Sequence, residues 1–152
     1  MKTKVLMVCL GNICRSPLAE GILRSKIDQE QILVDSAGTA GYHVGSRPDQ
    51  RSIAVAQKHG ININDQRSRR FSRQDFRDFN LIYAMDRSNY RNIISLAKNE
   101  EDIKKVKLLL EETSLSTKEV PDPYYDADEG FEEVYRLIDK ACDAIANRLS
   151  HN

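Results

Sequence analysis

The chain has 152 residues, enough for one domain with an adequate core. Lysine plus arginine and aspartate plus glutamate each number 23, so net charge argues for neither a nucleic-acid nor a membrane partner. Three cysteines, an odd count without secretory context, favour reduced thiols in a cytoplasm over a disulfide framework, and no apolar run approaches a membrane span.

No signal peptide is visible, because Met1 to Lys4 leads directly into Val5–Leu10. That run is apolar almost throughout, as a strand buried on both faces is. Ser16-Pro17 reads as a helix start, with Ser16 as N-cap, Pro17 at the first helical position and Glu20 in a turn that suits the dipole. The helix continues through Ile22 and Leu23 to about Ile27. Ile32 to Ser36 reads as a second strand, Gly38 to Pro48 as a loop, and Asp49 to Lys58 as a helix stopped by Gly60. Asn80 to Met85 and Val106 to Leu110 read as strands flanking a helix from Arg87 to Lys98. Ser114 to Asp126 is a loop with two prolines, and apolar residues from Phe131 to Leu149 recur at helical spacing within Glu129–Leu149. Alternating strands and helices imply a parallel sheet covered on both faces, with ligands beyond the carboxyl ends of its strands.

Cys9 stands at such an end. Only six residues separate it from Ser16, so the segment must curl, and Gly11 and Asn12 tolerate positive φ. Curling turns backbone N–H groups inward as an anion nest, and the helix N-terminus behind adds unpaired N–H groups and a positive dipole end. Arg15 offers a planar fork for phosphate oxygens, and Cys9 shares the positive field that favours a thiolate. A thiolate facing a tetrahedral anion is a nucleophile aimed at phosphorus. A lone strand-end cysteine is more often structural, but strand, Cys-x5-Arg spacing, Gly-Asn and Ser-Pro all coincide here. A metal site from Cys9 and Cys14 lacks further ligands. Cys14, five residues from Cys9, is either packing behind the loop or a redox guard that captures oxidised Cys9 as a disulfide.

The stretch CLGNICRSPLAE resembles the signature of the low-molecular-weight protein tyrosine phosphatases. DSAGT (35–39), HGI (59–61), MDRSN (85–89) and DPYYDADEGFEEVY (122–135) match the same family in order and spacing. The resemblance implies one α/β domain over residues 1–152, with a four-stranded parallel sheet, helices on both faces and a phosphate-binding loop after the first strand. It implies hydrolysis of protein phosphotyrosine through a phosphocysteine, with no metal or cofactor. The partners implied are tyrosine-phosphorylated proteins or peptides, with inorganic phosphate as product. Carried onto this chain, Cys9 is the nucleophile, Leu10, Gly11, Asn12, Ile13, Cys14, Arg15 and Ser16 cradle phosphate, and Asp122 is general acid and then base. Asn12, Ser16, Ser36 and Asp86 support the loop, and Ser16 eases departure of the thiolate. Tyr42, Tyr124 and Tyr125 line the cleft. His43 receives no chemistry, and Cys142 belongs to the core. Gln66 stands where the family often has a histidine, which leaves details of the loop network open. Arg67, Arg69, Arg70 and Arg73 read as a solvated face, or as a guide for acidic phosphopeptides.

Other functions fit less well. Thioredoxin-coupled arsenate reductases need relay cysteines that are missing between Cys14 and Cys142. Protein arginine phosphatases typically carry threonine where Ile13 stands. A cysteine phosphocarrier for sugar transport needs neither Arg15 nor Asp122, and a phosphoprotein-binding module could dispense with Cys9 and Asp122.

Overall fold

Val5, Met7 and Cys9 alternate with Leu6 and Val8, so one strand feeds two cores. In the computed structural model, which describes residues 2–124 and 128–150, this strand is β1, Thr3–Cys9. It pairs in parallel with β2 (Ile32–Gly38) on one side and β3 (Leu81–Ala84) on the other, and β4 (Val106–Leu108) completes the order β2-β1-β3-β4. The change of direction between β1 and β3 opens the crevice in which doubly wound folds bind ligands.

Helices α1 (Arg15–Lys26), α2 (Gln50–Lys58) and α6 (Asp128–Ser150) cover the face reached by Val5 and Met7. Leu18, Ile22, Phe131, Ile138 and Cys142 fill that core. Helices α3 (Gln74–Asp78) and α4 (Arg87–Ile94) cover the other face through Phe76 and Ile93, against Leu6, Val8 and Ile82. Helix α5 (Glu100–Lys104) leads into β4, and a 3₁₀ turn follows at Leu109–Glu112.

Several boundaries differ from the sequence reading. Helix α1 begins at Arg15 and its N-cap position is Cys14, without a side-chain cap. Ser16 is therefore not the cap, because its hydroxyl bonds within the preceding loop instead. Pro17 becomes the third helical residue, where a missing N–H costs nothing because the first turn's donors are unpaired anyway. Glu20 is not a dipole-facing first-turn residue but a buried carboxylate. The expected helix 87–98 ends at Ile94, and α5 starts anew on Asn99, whose side chain accepts from Asp102 N–H. The expected strand 106–110 turns into the 3₁₀ segment after Leu108. The short helix α3 was not legible, since five residues carry less than two turns of periodicity.

Candidate active site

The loop after β1 is shaped by one residue in left-handed conformation. That residue is Asn12, at φ 57°, and not Gly11. Asparagine tolerates this region at low cost, and Gly11 instead leaves space for His43, whose Cδ2 would be 3.1 Å from an added Cβ. Gly38, at the end of β2, has no freedom to be anything larger: a Cβ there would stand 2.8 Å from the Leu10 carbonyl oxygen. The bonds from Thr39 N–H to Cys9 O and from Ala40 N–H to Leu10 O tie this strand end to the loop.

A donor count fixes the direction of the network under the loop. Asn12 Oδ1 accepts from the Arg69 backbone N–H at 3.0 Å, which can only donate, so the Asn12 amide has one orientation. Its two N–H groups donate to Ser16 Oγ at 2.7 Å and Ser36 Oγ at 3.0 Å. Ser36 donates onward to Glu20 Oε1 at 2.6 Å, and Arg24 pairs with the other carboxylate oxygen of Glu20 at 2.9 Å. Burial pushes the Glu20 carboxyl above its ordinary range, against the pull of Ser36 and Arg24. Ser16 Oγ also lies 3.0 Å from Cys9 Sγ, a bond in which either group can donate, and Asn12 N–H donates to that sulfur at 3.2 Å.

Arg15 is 2% exposed. Its Nη1 donates to Asp86 Oδ2 at 2.7 Å and to the Val120 carbonyl at 2.9 Å, while Nη2 lies 3.7 Å from Asp122 Oδ2. Burial opposes its charge, but Cys9, Asp86 and Asp122 outweigh that and raise its pKa further. Asp86 has two tasks, because its Oδ1 also caps α4 at Asn89 N–H. Arg15 and Asp86 follow the carboxyl ends of the adjacent parallel strands β1 and β3, which is why residues 71 apart in the chain meet.

Asp122 sits in the strap between Val120 and Tyr124. Val120 N–H donates to Met85 O, and Asp122 Oδ1 accepts from Tyr124 N–H at 3.1 Å. Arg51 on α2 holds the same strap, donating to the Tyr124 carbonyl at 2.7 Å while its guanidinium lies 4.5 Å from the Phe131 ring. A cleft of about 330 Å³ results, lined by Cys9, Leu10, Gly11, Ile13, Cys14 and Arg15 below and by Tyr42, His43, Asp122 and Tyr124 around the mouth. Tyr42 is 77% exposed and free to meet a flat substrate ring. Tyr125 lies outside the described residues.

His43 and Arg51 were missed by sequence reasoning. His43 stands between Tyr42 and Tyr124, with ring centroids 6.4 Å from each. Adjacency to Tyr42 was the signal for His43, whereas nothing local marks Arg51. Gln66 donates from Nε2 to the Pro17 carbonyl at 3.0 Å, and its Oε1 is buried without a hydrogen-bond partner among the described residues. It thus props the first turn of α1. Cys14 is buried, and burial first, then Asp49, Cys9 and Asp122, push its thiol up to about 12. Among the described residues, no group of three or more His, Cys, Asp or Glu gathers to hold a metal ion, and no helix is long and apolar enough to cross a membrane.

At the switch point of this parallel sheet lies a cleft floored by Cys9 beside the buried Arg15, the arrangement to which the comparisons with known phosphatases attach. The sequence profile of the low molecular weight phosphotyrosine protein phosphatases matches residues 4–152, and the chain belongs to that family. Its activity class is that of a protein tyrosine phosphatase, a hydrolase. The Schizosaccharomyces pombe low molecular weight phosphotyrosine protein phosphatase is 43% identical over 143 residues, 90% of each chain. Low molecular weight protein-tyrosine-phosphatase YfkJ of Bacillus subtilis is 40% identical over 93% of this chain and 92% of its own. The crystal structure of a protein tyrosine phosphatase from Entamoeba histolytica superposes with a TM-score of 0.93 at 36% identity, covering 99% of this chain and 98% of that one.

Proposed function

We propose that the chain hydrolyses phosphotyrosine in proteins and peptides, and small aryl phosphates, through a phosphocysteine and without a metal. The cradle N–H groups and the Arg15 fork hold the phosphoryl oxygens. Cys9 thiolate attacks phosphorus, the bond to the aryl oxygen breaks, and protonated Asp122 gives its proton to the departing phenolate. In the second step Asp122 carboxylate takes a proton from water, the water oxygen bonds phosphorus, and the P–S bond breaks. Ser16 donates to the departing sulfur, and inorganic phosphate leaves. Tyr42, His43 and Tyr124 accept the phenyl ring. The single observation that carries this reading is the convergence of Cys9, Arg15 and Asp122 on one cleft from three segments of the chain. A cytoplasmic site of action goes with it, since a reducing compartment keeps Cys9 a thiol.

The test is a rapid acid quench of wild type with phosphotyrosine peptide, together with Cys9→Ser. A trapped phosphocysteine on Cys9, and loss of turnover in Cys9→Ser with phosphate-analogue binding retained, are expected. Turnover by Cys9→Ser, or absence of the adduct, defeats the mechanism.

A further inference from the structure

The basic run from Arg67 to Arg73 is not one surface. Arg69 is neutralised by Asp35 and Asp75. Arg67 donates to the carbonyls of Asn64 and Gln66, and Arg73 to that of Leu96. Arg70 goes elsewhere. A bridge to Gly38 holds its backbone beside the loop after β2, and its side chain runs along Gly41. Its Cδ and Nη1 lie 3.5 and 3.9 Å from where a Gly41 Cβ would stand. Gly41 immediately precedes Tyr42, which walls the cleft.

Arg47 stands on the same loop. The bonds Gly45 N–H to Ser68 O and Ser68 N–H to Ser46 O, each 2.8 Å, join this loop to the arginine segment. Two residues on, Asp49 N–H donates to the Ile13 carbonyl on the cleft floor. Arg47 and Arg70 are exposed, and neither side chain makes an ion pair or hydrogen bond with a described residue. Residues 40–48 and 66–73 contain no aspartate or glutamate. Asp122 lines the same cleft from the strap between Val120 and Tyr124. The mouth of the cleft is thus charged asymmetrically in a protein of zero formal net charge.

We infer that Arg47 and Arg70 form a cationic ledge that receives acidic residues flanking the phosphotyrosine of a protein substrate, an inference that rests on the reading above. An extended peptide advances about 3.3 Å per residue, so carboxylates within one to three residues of a phosphotyrosine seated on Cys9 reach the Tyr42 wall. Guanidinium forks match carboxylates in two-point geometry. Charges at the rim also steer encounter, which makes the preference sensitive to salt.

The test uses phosphotyrosine peptides that differ only in Glu, Gln or Lys at the flanking positions, with p-nitrophenyl phosphate as reference. Wild type should favour the Glu over the Gln peptide in kcat/KM by about 3- to 10-fold, the range for one or two exposed ion pairs. The preference should shrink with added salt. The double variant Arg47→Ala, Arg70→Ala should lose it while p-nitrophenyl phosphate turnover stays unchanged, and Arg70→Glu should favour the Lys peptide. Equal rates on the Glu and Gln peptides, or a preference that survives in the double variant, overturn the ledge. Binding of the same peptides as non-hydrolysable phosphonates separates the two readings: equal Kd values overturn the ledge whatever the chemistry does. Arginine-dependent binding to vesicles rich in anionic lipid, with no discrimination among peptides, assigns the surface to a membrane and also overturns it.

Discussion

Ser16 Oγ lies 3.0 Å from Cys9 Sγ and accepts from Asn12, so its own hydroxyl proton is free to turn toward a charged sulfur. Such a bond is strongest when the sulfur carries negative charge, as it does on departure from phosphorus in the proposed reaction. Ser16→Ala should slow phosphocysteine breakdown about 10- to 100-fold, the worth of a hydrogen bond to a charged group. Rapid quench should then show the adduct accumulating. A slower enzyme without accumulation would place the effect of Ser16 on the first step instead.

Glu20, four residues further along α1, stands at the far end of the same hydrogen-bond network. Its carboxylate accepts from the Ser36 hydroxyl, which leaves Ser36 an acceptor for Asn12. In Glu20→Gln an amide N–H can donate to Ser36 and compete with that direction. Alkylation of Cys9 by iodoacetate at neutral pH should slow about 3- to 10-fold, as for weakening of one hydrogen bond. Binding of inorganic phosphate should change much less. Unchanged alkylation would confine Glu20 to holding α1 against β2.

Removing the proton donor should reveal itself through the leaving group. Asp122→Ala is expected to lose roughly 10²–10⁴-fold on phenols of ordinary acidity, the usual worth of general acid–base catalysis. The loss should shrink as the phenol becomes more acidic. A uniform loss across the series would make Asp122 a partner for Arg15 only.

Cys14 is held protonated by burial and by the charges around it, so peroxide meets Cys9 first. Oxidation gives a sulfenic acid at Cys9, and attack by Cys14 sulfur expels water and forms the disulfide. Oxidation also removes the Cys9 charge, one of the causes that hold Cys14 protonated. Peroxide inactivation of wild type should be reversed by thiol reductant, and that of Cys14→Ser should be largely irreversible. Equal recovery of the two proteins, or no Cys9–Cys14 linkage by mass spectrometry, would remove the guard.

Acid stability should depend on Glu112, which ties the 3₁₀ turn to the end of α6. Burial works against its charge, but the Tyr83 hydroxyl at 2.5 Å and Arg148 at 2.7 Å hold the carboxyl below the usual range. The folded value is therefore below the unfolded one of about 4.3. Its stabilisation is present above that pH and is lost as pH falls through the folded value. Glu112→Gln should lower Tm at pH 7 and flatten the decline of Tm between about pH 4.5 and pH 3. Parallel melting curves for the two proteins would show that Glu112 contributes nothing to the acid slope.

Local signals read correctly were those with a local cause. The apolar run at Val5–Leu10, the helix from Asp49 to Lys58, the α6 periodicity and the curled segment after Cys9 follow from residue types and short spacings. Misreadings arose where two local rules competed. Ser16-Pro17 matches a cap followed by a first helical proline, yet the hydroxyl finds better partners in Cys9 and Asn12, and the helix starts earlier. The arginine run reads as a solvated face or as a guide for acidic phosphopeptides, and sequence does not show that Asp35 and Asp75 converge on Arg69 and leave Arg70 beside the cleft.

The amino-acid order by itself determined an alternating α/β chain, a thiol at the end of its first strand and an anion cradle between that thiol and the next helix, because these are short-range consequences of chain stereochemistry. Resemblance to a family added Asp122, Asp86 and Ser36 as candidates. Only the tertiary structure decided which groups face each other: Arg15 between Asp86 and the Val120 carbonyl, Ser36 between Asn12 and Glu20, Arg51 on the Tyr124 carbonyl. The physical reason is that a parallel sheet brings the carboxyl ends of β1, β2 and β3 to one edge, so partners separated by 16 to 105 residues meet at hydrogen-bond distance.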